Sequence, residues 1–233
     1  MVRTSAINPW SLLRPYPWRP PLAILPIGLD HLVYVTPDLE ATVLDLGVRL
    51  GVTATTGGQH PSWGTRNALL ALGYRSYLEV MGPDPDLSRP PQGRPFSLDG
   101  LTTPRLVTWV CRGKDLEAIV GKAAIVGVDL GSVQRRSRRR LDGSLLEWSM
   151  TDLYAHREGG IVPYFIDWGE SEHPSESSSR GCTLDGLRGE HPDAERVQEI
   201  LRNLGLGDLR VTAGPRPRLI ATIAGRRGQV ELA

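Results

Sequence analysis

A single layout returns three times along the 233 residues of this chain, and a repeat of that length leaves few folds open. The segments Leu29 to Met81, Arg105 to Trp168 and Cys182 to Leu232 each open on a short apolar strand. Each then enters a helix with an acidic start and ends in two or three strand-like runs. The helix starts align: Pro37-Asp38-Leu39-Glu40-Ala41 recurs as Lys114-Asp115-Leu116-Glu117-Ala118, and more loosely as Pro192-Asp193-Ala194-Glu195. Thr36 is the expected cap of the first helix, with Pro37 at its first position and acids in the first turn, where the helix dipole favours them. Leu39, Val43, Leu46 and Leu50 form one apolar stripe at helical spacing, as do Ala194, Val197, Leu201 and Leu204. Gly51, Gly127 and Gly205 fall where the helices should stop.

The strand signals complete a βαβββ module. Leu29 to Val35 is apolar on both faces, and Asn67 to Leu72 and Ser76 to Met81 flank the turn signal Gly73-Tyr74-Arg75. Asp142-Gly143 marks a second hairpin, and Gly225-Arg226-Arg227-Gly228 joins two more strands. One such module leaves half its sheet uncovered and should pair with another. The expected architecture is α+β, built from βαβββ modules with curved mixed sheets forming a cup. Its expected parts are a Pro-rich arm over residues 1–28, paired modules over 29–169, a linker over 170–181 and a third module over 182–233. The third module either stacks alongside the pair or pairs across a homodimer. Asp84 to Gly100 reads as a further Pro-rich linker.

Composition narrows the function classes. The net charge of +1 supplies no field to recruit nucleic acid or an anionic membrane. Cys111 and Cys182 match no disulfide framework or zinc spacing, and they read as reduced thiols in a cytoplasmic protein. The basic run Arg135-Arg136-Ser137-Arg138-Arg139-Arg140 lacks interleaved aromatics and reads as a solvated strand or charged sheet edge. One of its arginines is also within the reach of a carboxylate substrate on this reading.

Three stretches carry a family resemblance: Leu29-Asp30-His31-Leu32-Val33-Tyr34-Val35 with Pro37-Asp38-Leu39; Gly57-Gly58-Gln59-His60-Pro61 through Trp63-Gly64-Thr65-Arg66-Asn67 to Tyr77-Leu78-Glu79-Val80; and Pro163 through Trp168-Gly169 to His173-Pro174. Together they resemble the glyoxalase-like domains of the vicinal oxygen chelate superfamily over roughly Leu29 to Ser175. The resemblance implies two paired modules around a cup that holds a divalent metal ion, with ligands from the first and last strand of each module. It does not imply one reaction, since a fold hosts many.

On that basis His31 and Glu79 are the candidate metal ligands. A carboxylate between Leu78 and Val80 costs several kcal/mol to bury unless it is paired or bound to a cation. The plainer alternative makes His31 a hydrogen-bonded core residue and Glu79 a solvent-facing one. Thr108 holds the place of His31 in the second segment and is a poor ligand, so a full set of four ligands is not visible. His60 is the candidate general base or acid near pH 7. Thr65 and Asn67 are expected to orient a carbonyl or hydroxyl, Trp63 and Trp168 to form apolar walls, and Asp167 to contribute from the last strand of the second module. Glu231, which mirrors Glu79, and His173 are further candidates. His156 and His191 read as structural. The leading function is a metal-dependent lyase, isomerase or dioxygenase that stabilises an enediolate-like intermediate on a small oxygenated metabolite. The rival is a non-catalytic protein that sequesters a small apolar compound in the same cup.

Overall fold

In the computed structural model, which describes residues 28–140, 142–155 and 157–233, the three repeated segments start their helices on the same chemistry. Asp38, Asp115 and Asp193 cap α1 (Leu39–Leu50), α2 (Leu116–Ile125) and α3 (Ala194–Asn203), and each carboxylate accepts from the backbone N–H three residues on. The repeated acid is therefore the cap itself. Thr36, expected in that place, lies before the helix with its hydroxyl 2.7 Å from that of Thr42. Gly51, Gly127 and Gly205 follow the helices at φ of 72°, 76° and 75°, a left-handed turn that glycine makes without a Cβ clash.

Eight strands close a barrel. The first module supplies β1 (Leu29–Val35), β2 (Thr55–His60), β3 (Thr65–Gly73) and β4 (Ser76–Pro83). The second supplies β5 (Arg105–Arg112), β6 (Val133–Arg140), β7 (Leu145–Thr151) and β8 (Tyr164–Asp167). The order around the barrel is β1-β4-β3-β2-β6-β7-β8-β5, so the modules meet at β1–β5 and at β2–β6. The first junction runs from Leu29↔Cys111 to Val35↔Arg105, whereas the second consists of Gly58↔Arg140 and Gln59↔Arg139. In both modules the last strand lies parallel to the first, with Val33 opposite Glu79 and Val110 opposite Tyr164.

The third module forms its own sheet, β10 (Arg210–Ala213), β9 (Thr183–His191), β11 (Arg218–Ala224), β12 (Gln229–Leu232), in that order. It packs on the barrel of its own chain. Leu184, Leu201, Ile223 and Leu232 share one apolar cluster with Leu32, Leu50 and Trp109. Two backbone bonds tie the layers together, Leu106 N–H to Ala233 O at 3.0 Å and Arg227 N–H to Leu50 O at 3.1 Å.

Two segments that read as linkers are built into this body. In the first, the buried Asp84 accepts from Gln59 Nε2 at 2.8 Å, Arg94 Nε donates to Gly64 O at 2.7 Å, and the Phe96 ring lies 6.0 Å from that of Tyr164. In the second, His173 and Ser175 are buried, and Ala71 N–H bonds Ser179 O at 2.9 Å. The basic run is not a sheet edge either: β6 pairs with β7 from Val133↔Thr151 to Arg139↔Leu145. Residues 1–27 of the Pro-rich arm and His156 lie outside the described residues. Among the described residues no helix is long and apolar enough to cross a membrane.

Candidate active site

Period-two alternation along β4 turns Tyr77, Glu79 and Met81 into the barrel, where they line a cavity with His31 and Val33 of β1. The cavity has about 490 Å³ of empty space, its mouth included. Its remaining wall is largely apolar and aromatic, with Trp63, Leu69, Trp148, Met150, Ile166 and Trp168.

Glu79 is the centre of the polar end. It is 7 % exposed, and its two carboxylate oxygens lie 3.8 Å from His31 Nε2 and 3.8 Å from His60 Nε2. Each neighbour is held from behind. His31 Nδ1 pairs with Asp30 Oδ1 at 2.7 Å, which turns Nε2 toward Glu79. His60 Nδ1 lies 3.1 Å from Thr65 Oγ1. Asn67 Nδ2 donates to Glu79 Oε1 at 2.5 Å, while its own Oδ1 accepts from Gly58 N–H at 2.9 Å. Tyr77 stacks on His31, with ring centroids 4.6 Å apart.

Asp30 is a fully buried carboxylate with three donors around it: His31 Nδ1, His173 Nε2 at 3.1 Å and Trp168 Nε1 at 3.1 Å. Burial pushes its carboxyl up, but the hydrogen bonds from His173 and His31 and their charge outweigh this and hold it well below the usual carboxylate range. His60 goes the other way. Burial lowers its imidazole to about 4, against an upward pull from Glu79, so it is neutral at pH 7. His60, the candidate acid or base, ends β2 and is 2 % exposed.

The expected residues thus divide. His31, His60, Asn67, Glu79, Trp63 and Trp168 all line the cavity. Thr65 and Asn67 orient His60 and Glu79 in the first instance, through the bonds just described. His173 stands behind the cavity wall, bonded to Asp30. Asp167 faces away from the cup, because Ile166 and Trp168 on either side of it face in, and its Oδ1 accepts from Gly169 N–H at 2.9 Å. Glu231 is exposed on β12 beside Arg188, at 3.5 Å, and takes no part in the cavity. Asp30 is not singled out in the sequence, and Arg138 is not distinguished from the other arginines of its run. Asp30 sits next to His31 in an apolar strand, Tyr77 shares the face of Glu79, and Arg138 is hidden in a basic run.

The second module holds the matching places with Thr108 and Tyr164. Both oxygens are spent on backbone carbonyls, Thr108 Oγ1 on Gly160 at 3.2 Å and Tyr164 Oη on Leu153 at 2.9 Å. Arg157 lies over the Tyr164 ring, 4.5 Å from its centroid. Among the described residues no three His, Cys, Asp or Glu side chains gather into a metal centre. Donors face the cavity from the first module, and the pair His31–Glu79 spans a distance that two ligands of one divalent cation allow.

Two βαβββ modules closed around a cup define a glyoxalase-like fold of the vicinal oxygen chelate superfamily. The family model described as a glyoxalase-like domain matches residues 29–205, most of the chain, and the protein belongs to that family. Among solved structures, a hypothetical protein from Staphylococcus aureus is similar at 13% identity and a TM-score of 0.63, over 88% of this chain and 98% of that one. The methylmalonyl-CoA epimerase from Mycobacterium tuberculosis matches at 24% identity and a TM-score of 0.40, over 61% of this chain and 88% of that one. A methylmalonyl-CoA epimerase in complex with methylmalonyl-CoA and NH4+ matches at 19% identity and 0.43, over 64% and 100%. A search of curated proteins returns no match.

Proposed function

We propose that this protein is an enzyme that moves a proton on a small oxygenated molecule, with Glu79 as the group that carries it. One arrangement supports the reading: a buried carboxylate at the polar end of an apolar cup, flanked at 3.8 Å by two imidazoles that are themselves oriented from behind. A carboxylate desolvated in this way without a direct cationic partner is costly, and such cost is tolerated where chemistry needs it. Glu79 takes the proton from a carbon or hydroxyl beside a carbonyl and returns it to the product. Asn67 orients the Glu79 carboxylate by donating to its Oε1. The neutral His60 and the aromatic wall keep bulk water from competing for that proton. His31 and Glu79 would hold a divalent cation. Such an ion polarises neighbouring oxygens and lowers the cost of negative charge on them.

The rival reading, a binder without catalysis, draws on the second module. Thr108 and Tyr164 are tied to backbone carbonyls, so that half of the cup offers apolar contact and no ligand. Elemental analysis of purified protein, paired with proton NMR of 2-oxobutyrate in D2O, separates the two. The expected outcome is near-stoichiometric divalent metal and catalysed exchange of the C3 protons, with both lost in Glu79→Gln and the fold retained. Folded wild-type protein that resists loading with several divalent ions and exchanges no proton in any of several 2-oxo acids would promote the binder.

A further inference from the structure

Five arginines lie on β6; Arg135 is exposed to solvent, and three of the others have protein acceptors. Arg136 bonds Gln134, Arg139 donates to Gly143 O at 3.2 Å, and Arg140 lies 3.2 Å from Glu172. Arg138 is different. It is 6 % exposed and lines the cup, yet it has no hydrogen bond or ion pair to protein among the described residues. Glu79 lines the same cavity, but its ion pairs are with His31 and His60. A buried guanidinium without an acceptor is expensive unless something else supplies one.

The chain around it is shaped to admit this side chain. A Cβ at Gly58 would fall 2.9 Å from Arg138 Nη1 and 2.2 Å from the Arg139 carbonyl oxygen. A Cβ at Gly57 would fall 2.0 Å from Asn67 Oδ1. The glycine pair lies within β2, and it leaves room for Arg138 and Asn67 beside the strand. Tyr77 supplies a second free donor. Its hydroxyl has no protein hydrogen-bond partner among the described residues, and the residue lines the cup.

We propose that Arg138, assisted by the Tyr77 hydroxyl, is a carboxylate-binding subsite inside the cup, and that the ligand is a small organic acid with a compact apolar or aryl body. A planar guanidinium matches the two oxygens of one carboxylate through parallel N–H donors. Glu79 at the same end disfavours a dianion, and the Trp63, Trp148 and Met150 walls suit an apolar body. This deepens the proposed function by naming the substrate class, and it rests on that reading for the chemistry performed on the bound acid.

The test is calorimetric titration of the full chain with phenylacetate, isovalerate and the neutral isostere phenylacetamide. The expected result is binding of at least one acid, with phenylacetamide about tenfold or more weaker than phenylacetate. Arg138→Met should abolish the preference for acid over amide, Arg138→Lys should keep part of it, and Tyr77→Phe should weaken acid binding a few-fold. Arg139→Ala, on the outer face, should match the wild type. Equal affinity for acid and amide overturns the proposal. So does undiminished acid binding in a folded Arg138→Met, or no heat from either acid at about 10 mM. If Arg138→Met does not fold, the wild-type preference and Arg138→Lys decide. Wild-type protein that prefers the acid but holds no metal and exchanges no proton overturns the proposed function alone. Protein that holds metal and exchanges protons but does not prefer the acid overturns the subsite alone.

Discussion

The two modules of the barrel share strand order and pairing, yet they present opposite chemistry to the cup between them. At matching places the first offers His31 and Glu79, with polar atoms turned to the cavity and Asp30 behind. The second offers Thr108 and Tyr164, with oxygens tied to the carbonyls of Gly160 and Leu153. The positive charge is asymmetric too: Arg157 lies over the Tyr164 ring and its Nη2 bonds the carbonyls of Leu130 and Asp152, whereas Arg138 enters the cup with no hydrogen bond to protein among the described residues. The lesson is that the fold supplies two equivalent sets of inward positions, and the side chains decide that one set presents polar groups to the cup and the other serves packing.

The sharpest way to break this comparison is at Asp30. Asp30→Ala strands three buried donors, those of His31, His173 and Trp168, and should cost ~3–5 kcal/mol in urea unfolding. A loss below about 1 kcal/mol would mean that the support behind His31 is not structural.

Acid probes the same half of the cup. The folded-state pKa of His60 is lowered to about 4 from 6.5, so the unfolded chain binds more protons between those values. Stability contributed by neutral His60 is complete above pH 6.5 and is lost as the pH falls toward 4, by up to ~3 kcal/mol. In His60→Gln this part of the pH dependence should flatten. An unchanged slope of unfolding free energy against pH would remove His60 as its source.

The smallest effect is expected in the second module. Thr108→Val removes one hydroxyl bonded to Gly160 O and should cost ~1 kcal/mol, with metal content and proton exchange unchanged. Loss of metal in Thr108→Val would erase the asymmetry and make the second module a partner in the site.

Much of this organisation is legible along the chain. The recurring Asp38, Asp115 and Asp193 are short-range cap signals, and the leucine stripe of α1 carries its period in the residues themselves. The family resemblance drew attention to His31, His60 and Glu79 before any geometry. Alternation groups the residues of a strand by face, but the polar–apolar pattern by itself does not say which face is the cup. All but one residue of β1, and all but one of β4, are buried, because the cup lies on one side of these strands and a helix or the third sheet on the other. With both faces covered, polar–apolar alternation carries no sign of inside and outside. Asp30 and His31 therefore look alike in sequence, as do Arg138 and Arg139, although barrel closure buries Arg138 and leaves Arg139 exposed. Ionisation behaves in the same way. The pKa of His60 is set by desolvation, which exists only once Trp63, Trp148 and the closed sheet surround it. Local sequence determined which segments become helices and strands, since caps and periodicity act within a few residues. Tertiary structure alone decided which polar side chains share the cup, because that depends on ladder register and ring closure between strands far apart in the chain.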